Sequence, residues 1–103
     1  MGLRKDQSMF VRRIVRLICY AHSLGYELTF ADAYAKMGHR KGSFHYKRLA
    51  IDLNLFIDGV YQRSTKAHRP LGEYWEVIGG TWGGRFKDGN HYSWKEKRKG
   101  VRK

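Results

Sequence analysis

The sequence contains a single cysteine, a single proline and only nine acidic residues against 21 lysines and arginines. One cysteine can form neither an internal disulfide nor a cysteine-rich zinc finger, so both kinds of small scaffold are excluded. The apolar neighbours of Cys19 predict that its side chain is buried. No apolar run approaches a membrane-spanning length of about 20 residues, because arginines interrupt the N-terminal stretch. We therefore expect neither an integral membrane segment nor an ordinary signal peptide.

The residues that are present favour a folded protein with a basic surface. Hydrophobic residues make up 42% of the chain and aromatic residues 15%, which is far from the composition of disordered chains. At 103 residues we expect one domain over 1–103, with 95–103 as a basic tail, and a monomer. The net charge of +12 favours polyanionic partners. Nucleic acid and an anionic cell envelope both fit this charge, which does not choose between them.

Apolar periodicity predicts an α+β fold, in which helices pack on a small antiparallel sheet. The clearest strand is 49–56, because its odd-numbered residues are apolar and share one face. Asp58-Gly59 predicts a hairpin turn directly after this strand. The predicted elements are, in order, a helix over 9–24 capped by Ser8, a strand over 26–34, the strand 49–56 with its return through 60–61, a helix over 65–78, a glycine-rich loop over 81–90 and a strand over 91–94.

Side chains of the kinds that bind metals are concentrated in segments 43–52 and 88–91. Asp52 lies within an apolar strand, where an unpaired carboxylate is energetically costly. A catalytic zinc needs three nitrogen or oxygen ligands and an open position for water, and His45, Asp52 and His91 satisfy this requirement. Since a straight strand would point His45 and Asp52 to opposite faces, we expect His45 in a loop or bulge before the strand. Polar residues that are merely hydrogen-bonded give the same pattern, so both interpretations stay open on these residues alone.

Asp88 precedes His91 by three residues across a Gly-Asn turn, which suits a general base beside a metal-activated water.

The other histidines fall outside any ligand spacing and are expected to be ordinary hydrogen-bonded residues: His22, His39 and His68. Trp75 is expected to pack in the core, whereas Trp82 suits either packing or stacking on a sugar ring. The segment 82–86 is expected to shape a cleft wall.

Several motifs follow one another after Gly25: Ser43-x-His45, Leu49-Ala50-Ile51-Asp52-Leu53, Tyr74-Trp75, Trp82-Gly83-Gly84-Arg85-Phe86 and Asp88-x-x-His91-Tyr92. In type and order they resemble the zinc D-Ala-D-Ala carboxypeptidase and L-alanyl-D-glutamate endopeptidase family. That family includes phage endolysins and shares its fold with the Hedgehog signalling domain. The resemblance covers most of the chain after Gly25.

The resemblance implies roles for particular residues. His45, Asp52 and His91 would bind Zn²⁺, and Asp88 would be the catalytic base. Ser43 and a nearby basic side chain would hold carbonyl or carboxylate groups of the substrate. The sequence departs from the family pattern at Arg48, where a glycine is common. The substrate-contacting arginine of the family is expected near residue 35, and Arg40 or Lys41 would have to supply that charge.

The resemblance further implies a single zinc peptidase domain that cleaves a bond in the peptidoglycan stem peptide. The preferred activity is an L-alanyl-D-glutamate endopeptidase of the phage endolysin type, made in the host cytoplasm and acting on the cell wall after release. Its basic surface would hold it on the anionic envelope. The alternatives are a D-alanyl-D-alanine carboxypeptidase or dipeptidase and, outside enzymes, a basic nucleic-acid-binding module.

Overall fold

The computed structural model describes residues 2–32 and 48–94. Within these two ranges it confirms the α+β class, with two α-helices and a five-stranded sheet. The elements in chain order are α1 (Leu3–Ser23), β1 (Glu27–Asp32), β2 (Ala50–Ile57), β3 (Val60–Tyr61), a 3₁₀ turn (Lys66–His68), α2 (Arg69–Val77), β4 (Thr81–Trp82), a second 3₁₀ turn (Gly83–Phe86) and β5 (His91–Ser93). The expected loop around His45 and the basic tail 95–103 both lie outside the described residues.

Helix α1 buries the face that its periodicity predicts, namely Phe10, Ile14, Leu17 and Ala21. The prediction of its start was wrong, because the helix begins at Leu3 with Gly2 at the N-cap position rather than at Ser8. The first turns carry little apolar periodicity, so the pattern did not reveal them. The prediction for Cys19 was also wrong, since its side chain is exposed. At about 100° per residue, position 19 faces away from the buried side of this helix.

Strand β2 is the centre of the sheet, whose main strand order is β1-β2-β5-β4. It pairs antiparallel with β1 and also with β5 and the short β3. Leu53 and Leu55 are fully buried, as the period-two pattern predicts. The predicted hairpin is confirmed at Asp58 and Gly59, whose φ angles of 54° and 78° suit a tight turn of the type favoured between twisted strands.

The predicted helix 65–78 is present but begins as a 3₁₀ turn before α2 starts at Arg69. Pro70 lies in the first turn of α2, where its missing N–H costs nothing. The prediction of a loop over 81–90 was wrong in part, because Thr81–Trp82 forms strand β4 and Gly83–Phe86 forms a 3₁₀ turn. Sequence pattern does not reveal a strand of two residues, since its pairing with β5 decides it.

The core lies between the helices and one face of the sheet. Trp75 of α2 is fully buried and makes edge-on contacts with Phe10 and Tyr92. Its indole N–H donates to the carbonyl oxygen of Ser93 at 2.9 Å, which joins α2 to β5. The expectation that Trp75 packs in the core is confirmed.

Candidate active site

Asp52 and His91 lie directly opposite each other on the paired strands β2 and β5. Oδ1 of Asp52 is 3.0 Å from Nδ1 of His91. About one fifth of each side chain is exposed to solvent. The two polar groups therefore meet at a half-buried position that solvent can reach.

The alternation of side chains along both strands produces this meeting. Ile51 and Leu53, on either side of Asp52, are buried in the core, so Asp52 points to the other face of the sheet. Tyr92 is fully buried in the same core, and its neighbour His91 therefore shares the face of Asp52. The register is held by a hydrogen bond from the N–H of Leu53 to the carbonyl oxygen of Asn90, at 2.9 Å.

Both side chains are of kinds that can bind zinc. A carboxylate oxygen and an imidazole nitrogen are both common zinc ligands, and ligands of one tetrahedral zinc lie roughly 3.4 Å apart. The observed 3.0 Å between these two atoms is a hydrogen-bond distance, so the two groups would have to move apart slightly to bind one zinc together. Within the two described ranges, no group of three or more histidine, cysteine, aspartate or glutamate side chains is arranged to hold a metal ion. The third predicted ligand, His45, lies outside those ranges, as do Ser43 and Arg40.

Asp88 lies on the turn that leads into β5, and its side chain is exposed. Its carbonyl oxygen accepts a hydrogen bond from the N–H of His91 at 3.2 Å, and its own N–H donates to Gly83 at 2.9 Å. Gly83 packs so closely here that an added Cβ would lie 2.8 Å from the Cβ of His91. The structure therefore places the predicted base on a tightly packed turn directly before the strand that carries a predicted ligand.

Sequence reasoning left Trp82 undecided between packing and sugar stacking, and the structure assigns it to packing. Trp82 is 2% exposed, and its indole N–H donates to the carbonyl oxygen of Gly89 at 2.7 Å. Arg85 lies over the Trp82 ring and pairs through two hydrogen bonds with Glu76 of α2. The hydrogen bond from Arg85 lowers the pKa of Glu76. The second 3₁₀ turn is thereby fastened to α2, beside the turn that carries Asp88.

His68 forms a buried hydrogen bond, as expected for a histidine outside the ligand set. Its Nδ1 is 3.0 Å from the hydroxyl oxygen of Tyr92, the residue that follows His91. Burial lowers the pKa of His68 to about 4 and raises that of Tyr92. His68 is therefore neutral at physiological pH and supports β5 from the core side.

Sequence reasoning missed Thr65. Its hydroxyl oxygen accepts a hydrogen bond from the N–H of Gly89 at 3.2 Å. A threonine 24 positions away that contacts one backbone N–H leaves no signal in spacing or periodicity. The one available hint was Gly89 itself, since a glycine next to a candidate base allows close approach of another backbone.

The arginines of α1 do not form a single exposed row. Arg12 and Arg16 are exposed, which agrees with a solvated helix face. Arg13 is half-buried, and its guanidinium lies 5.3 Å from the centre of the Trp94 ring. Neither α-helix in the part of the chain that the structure describes has the length and apolar character to cross a membrane.

Comparison with known families matches residues 37–94 to a family model described as D-alanyl-D-alanine carboxypeptidase. The match covers more than half of the 103 residues and includes the positions His45, Asp52, Asp88 and His91. The chain therefore belongs to this family of M15 peptidases. It is a metallopeptidase related to peptidoglycan hydrolases, and peptidases of this family are generally zinc-dependent. No curated protein matches the chain.

Proposed function

We propose that this metallopeptidase cleaves the L-alanyl-D-glutamate bond of the peptidoglycan stem, with His45, Asp52 and His91 as ligands of one Zn²⁺ and Asp88 as general base. The observation that carries the proposal is the meeting of Asp52 and His91 across β2 and β5, at 3.0 Å. Asp88 is three residues from His91 and joined to it by a backbone hydrogen bond. Membership of the M15 family favours this reading over the nucleic-acid-binding alternative.

With zinc bound, this ligand set would leave the site with one net positive charge, because histidine binds zinc as the neutral imidazole and Asp52 would contribute one negative charge. A zinc ion in such a site acts as a Lewis acid and lowers the pKa of a water molecule towards about 7. The carboxylate of Asp88 then accepts a proton as the water attacks the scissile carbonyl. Asp88 returns this proton to the leaving amino group, so it acts first as base and then as acid.

The position of Asp52 within the sheet suits its proposed role. Its backbone is fixed by pairing with β5 on one side and β1 on the other. A carboxylate on a rigid strand needs little reorganisation when it binds a metal. The register of β1 shifts between Phe30 and Asp32, next to the Asp52 pairing. Such irregularities are frequent beside active sites, where they redirect neighbouring side chains.

The choice between endopeptidase and carboxypeptidase rests on the family resemblance described above. A carboxypeptidase must bind the terminal carboxylate of its substrate, which requires a cationic group. The candidates for that group, Arg40 and Lys41, are outside the described residues. Purified stem pentapeptides separate the two activities. Release of N-terminal alanine supports the endopeptidase, whereas release of D-alanine from the other end would overturn it in favour of the carboxypeptidase.

We also propose that the enzyme serves phage lysis, acting on the wall only after export or release from the host cytoplasm. Support comes from the endolysin branch of the family and from the net charge of +12, which favours an anionic envelope. Expression in a bacterium with and without a fused export signal tests this. Lysis by the exported form alone is expected, whereas an exported, active enzyme that leaves the wall intact would contradict the proposal.

A further inference from the structure

The backbone N–H and carbonyl of Asp88 are both hydrogen-bonded within the turn that carries it. The N–H of Asp88 donates to the carbonyl of Gly83 at 2.9 Å, and its carbonyl accepts from the N–H of His91 at 3.2 Å. Both backbone groups of the proposed base are therefore bonded within its own neighbourhood. The carboxylate itself is exposed, so the chain presents it to solvent from a fixed backbone.

The next residue, Gly89, is held by two side chains from other parts of the sequence. Its N–H donates to the hydroxyl oxygen of Thr65 at 3.2 Å. Its carbonyl oxygen accepts from the indole N–H of Trp82 at 2.7 Å. The backbone N–H of Gly89 belongs to the peptide unit that begins with the carbonyl of Asp88. The Thr65 bond therefore acts on the peptide plane directly attached to the proposed base.

Close packing reinforces these two bonds. An added Cβ on Gly89 would lie 2.6 Å from Cα of Thr65, so the two backbones approach to a distance that only glycine permits. Trp82 is 2% exposed, and Gly72 and Gly84 pack directly against it. A Cβ added at either glycine would overlap the Trp82 ring. The donor that holds Gly89 thus has little freedom to move. Water has little access to replace the bond from Trp82.

We propose that Thr65 and Trp82 are positioning residues that fix the peptide units around Gly89 and thereby hold the Asp88 carboxylate in its productive place. The inference rests on the proposed function, in which Asp88 is the general base. A misplacement of about 1 Å in a catalytic group can lower a rate roughly 100-fold. Loss of either bond should therefore lower kcat far more than it changes substrate binding.

Thr65→Val tests the first bond, since valine keeps the shape of threonine but removes the acceptor. We expect kcat on purified stem peptides to fall roughly 10- to 100-fold, with KM and zinc content unchanged. Thr65→Ser keeps the hydroxyl and should restore most of the rate. Thr81→Val is the matched control on β4 and should leave kcat unchanged. A folded Thr65→Val enzyme with wild-type kcat would overturn the role of Thr65, as would a Thr65→Ser enzyme as slow as Thr65→Val.

Trp82→Phe tests the second bond, with Trp75→Phe as its control. Both changes remove a buried indole N–H that donates to a backbone carbonyl, at Gly89 and Ser93 respectively. Similar losses of thermal stability are therefore expected. At temperatures well below both unfolding transitions, only Trp82→Phe should lower kcat, by about tenfold or more. Equal kcat values for the two folded variants would overturn the role of Trp82.

Asp88→Asn separates this inference from the function on which it depends. If Asp88→Asn keeps wild-type kcat, the proposed base is wrong, whatever the Thr65 variants do. If Asp88→Asn loses nearly all of the wild-type kcat, Asp88 is supported as the general base. The Thr65 and Trp82 variants then decide whether those residues position it. In the Asp88→Asn background, Thr65→Val should lower the residual rate by less than about twofold, because the residue that it positions is already lost. If Thr65→Val lowers the rate of Asp88→Asn by the same roughly 10- to 100-fold factor as in the wild type, Thr65 does not act through Asp88.

Discussion

The imidazole of His91 and the carboxylate of Asp52 lie 3.0 Å apart although 39 positions separate them in the sequence. They meet because Asp52 and His91 are direct partners in the β2–β5 ladder. Period-two alternation then places both side chains on the face opposite the core. In the proposed function, these two side chains on neighbouring strands would supply two of the three zinc ligands from preorganised positions.

Asp52→Asn should separate the geometry of this pair from its charge. The amide keeps the size of the carboxylate and a hydrogen bond to His91, but it is a poor zinc ligand because it carries no negative charge. We expect zinc affinity to fall by more than the roughly 10- to 100-fold typical of losing an outer-shell partner. Competition with a chelator measures this. Asn54→Asp, two residues along the same strand, is a control that adds charge nearby and should leave the affinity of the site much less changed.

Gly83→Ala should disturb the site through contact alone. The new Cβ would lie 2.4 Å from the carbonyl oxygen of Asp88 and 2.8 Å from the Cβ of His91. The turn must shift, so we expect a loss of about 1–3 kcal/mol in the free energy of unfolding together with a large loss of activity. Denaturant titration and peptide hydrolysis measure the two effects.

Gly2→Ala is the control for that change, because nothing lies within 4 Å of a Cβ at Gly2. It should leave activity close to that of the wild type and cost at most about 1 kcal/mol of stability, since alanine is a poorer N-cap residue than glycine. An active Gly83→Ala enzyme of normal stability would show that the close packing of the Asp88 turn is unimportant.

His68 should make the protein sensitive to acid. Burial lowers the pKa of His68 from 6.5 to about 4, so between these values the unfolded chain binds a proton that the folded protein does not. The free energy of unfolding should therefore fall as pH decreases from about 6.5 to 4, by on the order of 3 kcal/mol from this residue. Above pH 6.5 the contribution of His68 is constant.

Denaturant titrations across this pH range measure that slope. His68→Asn keeps a polar group near the Nδ1 position that meets Tyr92, and it should flatten the slope because it cannot titrate. His22 of α1 is exposed, so His22→Gln should leave the slope unchanged. Equal slopes for the wild type and His68→Asn would contradict the assignment to His68.

The sequence was most informative where one local pattern decides the structure. Alternation predicted the buried face of β2, and Asp58-Gly59 predicted the turn, because both depend on neighbouring residues. Cys19 was misjudged because residues adjacent in sequence point to different faces of a helix, so apolar neighbours do not make a residue buried. The start of α1 was misplaced for a related reason, since its first turns lack the apolar stripe on which the prediction relied.

For the site, the sequence supplied the residue types, and family resemblance supplied their roles. The meeting of Asp52 with His91 depends on the pairing of β2 with β5, which no local pattern specifies. The contacts of Thr65 and Trp82 with Gly89 were missed because their partners are backbone atoms, whose identity is the same at every position. The assignment of His45, Ser43 and Arg40 stays a prediction, since they lie outside the described residues.

The most direct test of the central claim is the zinc content of purified Asp88→Ala, measured together with its wall-lysing activity and compared with the wild type. We expect about one zinc per chain in both proteins, with lysis by the wild type only, because Asp88 moves the proton without holding the metal. Lysis at the wild-type rate by Asp88→Ala would contradict the role of the base. A wild-type enzyme that holds no zinc and keeps its activity in the presence of chelators would contradict the metal site itself.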